Sequence, residues 1–440
     1  MRFAPHTDDE IREMLAAIDR SSIDDLFEQI PNGVRLDRRL EIPAGVSELE
    51  VVDELRTLAG RDRHLDGLVC FAGAGAYDHY VPALVWALAG RSEFSTSYTP
   101  YQPELSQGVL QALFEFQSMI CELTALEVSN ASLYDGATAL VEAVHMTRTA
   151  ERGRVLVSEG VDPRLLETLR TYGRGAGYDP EVFRAEDGRG GAPDVGDDVA
   201  AVVVQHPNVL GILEPAAELF RRAKAVGASA IQVFDPLSLG VLAPPGELGA
   251  DVAVGEGQGL GNHLAFGGPS LGLIAARMDE VRRMPGRIVG RTVDVEGSTG
   301  YVLTLQAREQ HIRREKANSN ICTNQTLMAI AAGIYLGWLG PEGLAELGRR
   351  CASKAAYAAE RLTAISGVEL LHPDAPFFKE FAVRLPRAAA DVVASVLERG
   401  YLAGVPFPSA GDDVLLVAVT ERRTREQIDG LASAVGEALR

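Results

Sequence analysis

Residues 95–108 read STSYTPYQPELSQG: two tyrosines, two prolines and several uncharged hydrogen-bonding side chains, set directly before an amphipathic run of helical spacing. Tyr98 and Tyr101 are three apart, as are Pro100 and Pro103, and a residue that precedes proline is pushed toward extended backbone. At three residues per turn such an arm carries both phenol rings along one edge, which suits binding at an interface; the alternative is a surface turn whose tyrosines pack on a neighbour. A second segment, FAGAGAYDHYVP, brings Tyr77, His79 and Tyr80 behind Gly73 and Gly75, which permit close backbone approach or positive φ. There His79 is a candidate for proton handling, because imidazole titrates near neutrality, against a plain core or interface role. Asp235 closes the apolar run AIQVFD, and amine chemistry is confined to four lysines, Lys224, Lys316, Lys354 and Lys379.

Other chemistries have little support. Cys70, Cys121, Cys322 and Cys351 are far apart, with no C-x-x-C and no His at ligand spacing, so buried reduced thiols are expected and no metal site or disulfide framework is indicated. No H-x-x-x-H pair and no G-x-S-x-G elbow occurs. With 42 basic against 61 acidic residues the net charge is −19, which repels nucleic acid and anionic membrane faces. No apolar run reaches the roughly 18 residues of a membrane span, and MRFAPHTDDEIREM lacks a signal-peptide core, so a cytoplasmic protein is expected.

These side chains need elements to hold them. Residues 1–64 form a helical segment in which Thr7 with Glu10, and Ser47 with Glu50, are capping boxes. From 65 to about 310 short apolar runs alternate with helical stretches: RVLVS at 154–158, AAVVVQ at 200–205, AIQVFD at 230–235 and ADVAVG at 250–255, with ELFRRAKAVGA as the clearest crossover helix. Near-continuous hydrophobicity suits strands buried on both faces of a parallel α/β sheet. Residues 311–440, with long helices, FAVRLP, VLLVAVT and a last helix capped by Thr424 and Gln427, fit a small C-terminal α/β domain.

A large parallel-rich domain followed by a small α/β domain is one way to build a pyridoxal-phosphate enzyme of the aspartate aminotransferase type, fold type I. Such a site needs a carboxylate facing the pyridine nitrogen, a lysine to form the imine and a helix N-terminus for the phosphate. Asp235 suits the first role, and the Gly and Thr of NASLYDGATALVEA suit the third. The second role is unfilled, since no lysine lies between Asp235 and GGPSLG. No other side chain supplies a nucleophilic amine, so the chain alone should hold no covalent pyridoxal phosphate.

STSYTPYQPELSQG, with the following LQALFEFQSMICELTALEVSNASLYDGATALVEA, strongly resembles the P-protein of the glycine cleavage system, glycine decarboxylase. So do FAGAGAYDHYVPA, VVVQHPNVLGILE, DPLSLGVLAPPGELGADVAVGEGQ, FGGPSLG and EKANSNICTNQTLMA. Length and the missing lysine point to the N-terminal subunit, subunit 1, of the split type. The resemblance implies that a PLP-bearing subunit 2 holds pyridoxal 5'-phosphate, that the pair doubles into an α2β2 heterotetramer, and that glycine is decarboxylated with its aminomethyl group passed to lipoylated H-protein. It places the catalytic His-Lys pair on Gly257 and Gln258, so that Gln258 fills the lysine slot, and makes Asp235 a vestige or a residual cofactor contact. It also marks Tyr98, Thr99, Tyr101, Gln102, Glu104, Ser106 and Gln107 as lining a site shared between subunits, beside Tyr77 and His79, which stand as candidates on their own chemistry. Two other readings are a stand-alone pyridoxal-phosphate lyase using Lys316 and a regulatory homologue that lost catalysis.

Overall fold

The computed structural model describes residues 5–440 apart from Asp37, Ala150 and Ala192. The chain divides into two compact units at Arg63/His64. In the first unit, helices α1 (Asp8–Ala17) and α2 (Glu48–Ala59) begin at Thr7 and Ser47, each with both hydrogen bonds of the anticipated capping box. Leu15 is the one buried residue among the described residues of this unit, and Leu49, Leu55 and Leu58 are exposed.

The second unit is organised by a seven-stranded sheet. Its strands are β1 (Val128–Ser129), β2 (Arg154–Ser158), β3 (Glu181–Phe183), β4 (Val199–His206), β5 (Ser229–Phe234), β6 (Val252–Glu256) and β7 (Gly272–Ala276). They lie in the order β1-β7-β6-β5-β4-β2-β3. The five strands from β2 to β6 pair in parallel and β7 runs antiparallel to both β6 and β1, so the sheet is mixed. Residues such as Val202, Val203, Ile231, Val252 and Val254 are fully buried because helices cover both faces, which is why these strands read as unbroken apolar runs. The crossover helix Ala216–Ala225 falls between β4 and β5 as its sequence indicated.

Parallel pairing brings strand C-termini to one edge. His206 faces Phe234 and Phe234 faces Gly255, so Asp235, just past β5, and Glu256, ending β6, emerge side by side. In open α/β sheets this edge is where ligands bind. Helix α3 (Gln107–Thr124) packs below, and helix α4 (Gly136–Thr147) starts at the same edge with Asp135 as its N-cap.

A second sheet, all antiparallel, contains β8 (Glu369–Leu370), β9 (Glu380–Arg384), β10 (Val405–Pro406) and β11 (Val414–Ala418) in the order β8-β9-β11-β10. Helix α5 (Thr326–Thr363) joins the two sheets. Its composition and length would let it cross a membrane, but it breaks at Gly340, before Pro341, and its side chains from Met328 to Leu347 enter the core of the first sheet and those from Ala355 to Leu362 the core of the second.

The segment around residue 100 differs from expectation. Tyr101 N–H donates to Thr99 O at 2.8 Å, closing a tight turn around buried Pro100 instead of a continuous threefold extension. Pro103–Leu105 is a separate 3-10 turn, so Pro103 and Glu104 precede helix α3, and Leu105 is 83% exposed. The hairpin Ile288–Val293/Thr299–Thr304 was not anticipated. Two glutamines of α3 clip it: Gln107 bonds both N and O of Tyr301 (2.8 and 2.9 Å), and Gln117 does the same for Val289 (2.9 and 3.0 Å). Cys70 and Cys351 are buried as expected, whereas Cys322 is exposed.

Candidate active site

A cavity of about 380 Å³ opens at the strand C-termini, lined among others by Tyr77, Gly136, Asp235, Glu256, Gln258 and Lys379. The loop that carries Tyr77 and His79 is squeezed between the two sheets. A Cβ on Gly73 would meet Ala418 Cβ and Glu380 Oε1 at 2.5 Å each, and Gly75 has φ +97°, so both glycines are required by the path.

Asp235 does not face open space. Its Oδ2 accepts from Lys379 Nζ at 2.6 Å, with the lysine side chain 3% exposed. Lys379 comes from the residue before β9, and its ammonium also lies 3.0 Å from His79 Nε2 and 3.6 Å from the centroid of the Tyr77 ring. Because an ammonium only donates, His79 Nε2 must accept and Nδ1 must carry the proton, which it gives to Glu421 Oε2 at 2.7 Å. Burial, and then the neighbouring ammonium, depress the His79 pKa, so the ring is neutral. Burial pushes Glu421 up, but the hydrogen bonds from His79 and from the Tyr80 amide outweigh it and hold the carboxylate ionised.

Folding also gathers His79, Cys351 and Glu421 into a cluster of metal-ligating types that no sequence spacing announced. The tautomer imposed by Lys379 leaves Nδ1 without a lone pair for a cation. His79 is thus a link in a buried relay, Asp235–Lys379–His79–Glu421, and not a proton handler open to substrate.

The adjoining pair is arranged similarly. Glu380 Oε1 accepts from Ala74 N at 2.7 Å and Oε2 from Tyr77 O–H at 2.8 Å. Burial raises both the Glu380 and the Tyr77 pKa, so the phenol stays protonated. Gln258 is buried, its Oε1 accepting from Tyr77 N at 3.3 Å and its Nε2 donating to Asn262 O at 2.7 Å. Both ends of the amide are used in holding the loop.

At the start of α4, Gly136 N–H donates to Glu256 Oε2 at 3.0 Å and Thr138 N–H to Asp135 Oδ1 at 2.8 Å. Glu256 Oε1 further accepts from Gln258 N and Leu271 N at 3.0 and 2.9 Å. Burial raises the pKa of Glu256 against the pull of these three amides.

Pyridoxal phosphate does not fit these residues. Gln258 offers no amine, Asp235 is already paired, and carboxylates take the Gly136 and Thr138 amides of the helix start. Lys379, the lysine that lines the cavity, sits on the carboxylate meant for the ring nitrogen and therefore at the wrong end to bond the aldehyde carbon. Lys316 is exposed in a 3-10 turn and does not line the cavity, which removes the physical basis for a lyase built on it.

The arm residues Tyr98, Thr99, Tyr101, Gln102, Glu104, Ser106 and Gln107 do not line this cavity either. Tyr98 is 79% exposed, while Tyr101 receives a hydrogen bond from Arg287 Nη2 at 3.3 Å and packs edge-on against His311.

Comparison with known proteins bears on the family. A family model described as the glycine cleavage system P-protein matches residues 1–435. The chain belongs to the P-protein family. A relative from Carboxydothermus hydrogenoformans, named as a probable glycine dehydrogenase (decarboxylating) subunit 1, is 50% identical over 99% of both chains. A crystal structure of glycine decarboxylase (P-protein) of the glycine cleavage system in inhibitor-bound form is 47% identical, with TM-score 0.93 over 100% of both chains. An aspartate aminotransferase from Thermus thermophilus, 18% identical with TM-score 0.59 over 84% of this chain and 99% of that one, shares the fold, which is the pyridoxal-phosphate type I architecture.

Within the P-protein fold, sequence reasoning missed Lys379 and Glu256. The visible signal for the first was the pair Lys379-Glu380 at the entry to the apolar run FAV, since charges seldom enter a core unless partnered.

Proposed function

We propose that this chain is subunit 1 of a glycine dehydrogenase (decarboxylating), the P-protein of a glycine cleavage system, acting in the cytoplasm with a subunit 2 that carries pyridoxal 5'-phosphate. The observation that carries this reading is full-length identity of 50% to a protein named as a probable subunit 1, and it is supported by a cavity in which Lys379 already occupies Asp235. Bound on the partner, the cofactor supplies an electron sink for the loss of carbon dioxide from glycine, and the aminomethyl group then passes to the lipoyl group of H-protein.

This chain's part is to shape and close the shared site. Water exclusion strengthens electrostatics at a reacting centre, so a subunit without catalytic groups can be indispensable. Exposed Tyr98, Leu105 and Tyr101 at the head of α3, and exposed Leu49, Leu55 and Leu58 on α2, support surfaces made for another chain. The hold of Arg287 and His311 on Tyr101, with Tyr98 left exposed beside it, supports the arm as the element reaching the partner's site. In this reading residues 65–310 serve as the large domain and 311–440 as the small one, and two pairs associate as α2β2.

The test is reconstitution. The purified chain alone should release no carbon dioxide from glycine, and borohydride should trap no cofactor on it. Addition of the companion subunit should restore turnover, and Tyr98→Ala, at a position 79% exposed, should reduce it without changing the melting temperature of the chain. Turnover by the chain alone would overturn the proposal.

A further inference from the structure

We infer that the cavity at the strand C-termini is a cofactor site plugged by the chain's own side chains, with Glu256 in the phosphate seat and Lys379 in the seat of the pyridinium. The missing lysine is then only one of three barriers.

The phosphate seat of such a cavity is the start of a helix, where free N–H groups and the helix dipole attract an anion. Here α4 points its first amide, Gly136 N–H, at the Glu256 carboxylate, which gathers two more amides, from Gln258 and Leu271. Three backbone donors from three segments converge on one carboxylate, a set that would equally serve another anion. The space is taken too: a Cβ on Gly136 would come within 3.0 Å of Glu256 N and 3.1 Å of its Cβ. A phosphate arriving there would meet the Glu256 carboxylate where the Gly136 amide would otherwise be free, with Thr138 N–H already given to Asp135 on the same helix end.

The other seat is filled by the opposite charge. A pyridinium would place one cationic N–H on Asp235 and lie against an aromatic face. Lys379 places an ammonium on Asp235 Oδ2 at 2.6 Å, under the Tyr77 ring at 3.6 Å. Its position is fixed from behind by His79, whose other nitrogen is held by Glu421. Both charges that a bound cofactor would bring, an anion at α4 and a cation at Asp235, are thus supplied internally, and the fold keeps its electrostatic balance with no cofactor in this chain. The inference concerns this cavity alone and does not depend on which chain carries the reaction.

Two measurements on the full-length chain test it. Glu256→Ala leaves three amides without a partner; its melting temperature should fall and then rise on addition of inorganic phosphate, while the parent chain shows no such rise. An equal response of parent and variant to phosphate, or none in either, would overturn the phosphate-seat assignment. Second, Gln258→Lys alone should capture no pyridoxal phosphate that borohydride can fix. The combination Gln258→Lys, Glu256→Ala, Lys379→Met should bind it more tightly by about tenfold or more for each seat reopened. Capture by Gln258→Lys alone, or no gain in the triple variant, would show that the plug is not what excludes the cofactor. Should the triple variant be unstable, Gln258→Lys with Lys379→Met reads the pyridinium seat alone: a gain in captured cofactor over Gln258→Lys supports it, and no gain overturns it.

Discussion

Lys379→Met removes a charge from the junction of the two sheets while keeping an unbranched apolar stem. In the parent chain the ammonium serves Asp235 at 2.6 Å and His79 at 3.0 Å, with side-chain exposures of 3% for Lys379 and 19% for Asp235. Breaking a buried pair by deleting one partner costs roughly 3–5 kcal/mol, because the other charge stays behind without compensation; partial exposure of Asp235 favours the lower end, ~3 kcal/mol. The entropy of unfolding is about 2.1 cal/mol/K per residue, so the roughly 380 residues from His64 onward give about 0.8 kcal/mol/K and a fall in Tm of about 4 °C. Differential scanning calorimetry of the full chain reads this directly. The companion measurement is Asp235→Asn alone and combined with Lys379→Met: with both charges gone the double variant should recover ~2 kcal/mol relative to the sum of the singles. Additive losses, or a Lys379→Met shift below about 1 °C, would refute the claim that the ion pair ties the sheets together.

Gln117→Ala leaves the buried N–H and C=O of Val289 without partners, at roughly 1–3 kcal/mol each, and hydrogen exchange in the hairpin 288–304 should speed up while that of the central sheet is unchanged. Gly73→Ala forces contacts of 2.5 Å with Ala418 and Glu380, so a loss of about 1–3 kcal/mol in chemical denaturation is expected. His206, buried and accepting from Glu214 N at Nδ1, has its pKa driven by burial from 6.5 to about 4. The unfolded chain therefore takes up this proton at higher pH than the folded one. Stability on this account is complete above pH ~6.5 and declines by about 3 kcal/mol as pH falls to ~4. In His206→Asn, whose side-chain oxygen can still accept from Glu214 N, that part of the acid loss should vanish from denaturation curves taken across the window.

What could be read in advance depended on how local the cause was. The capping boxes at Thr7, Ser47 and Thr424 were legible because each is complete within four residues, and the structure closes all three. The buried strands were legible because covering both faces of a sheet leaves an unbroken apolar run, as in Val199–His206. Prolines restrict their predecessors and so predict an extended arm at 95–108, but the bond from Tyr101 N to Thr99 O bends it. Absence of the imine-forming lysine needed only a count. What replaces the cofactor could not be counted. Lys379 meets Asp235 because β9 of one sheet starts opposite the end of β5 in the other, and Glu256 meets Gly136 because β6 ends beside the start of α4. Neither neighbour is implied by the residues around it. Glutamine at 258 states only that one bond cannot form; a paired Asp235 and a filled helix end state that the cavity is already balanced. A single substitution back to lysine should therefore leave it closed.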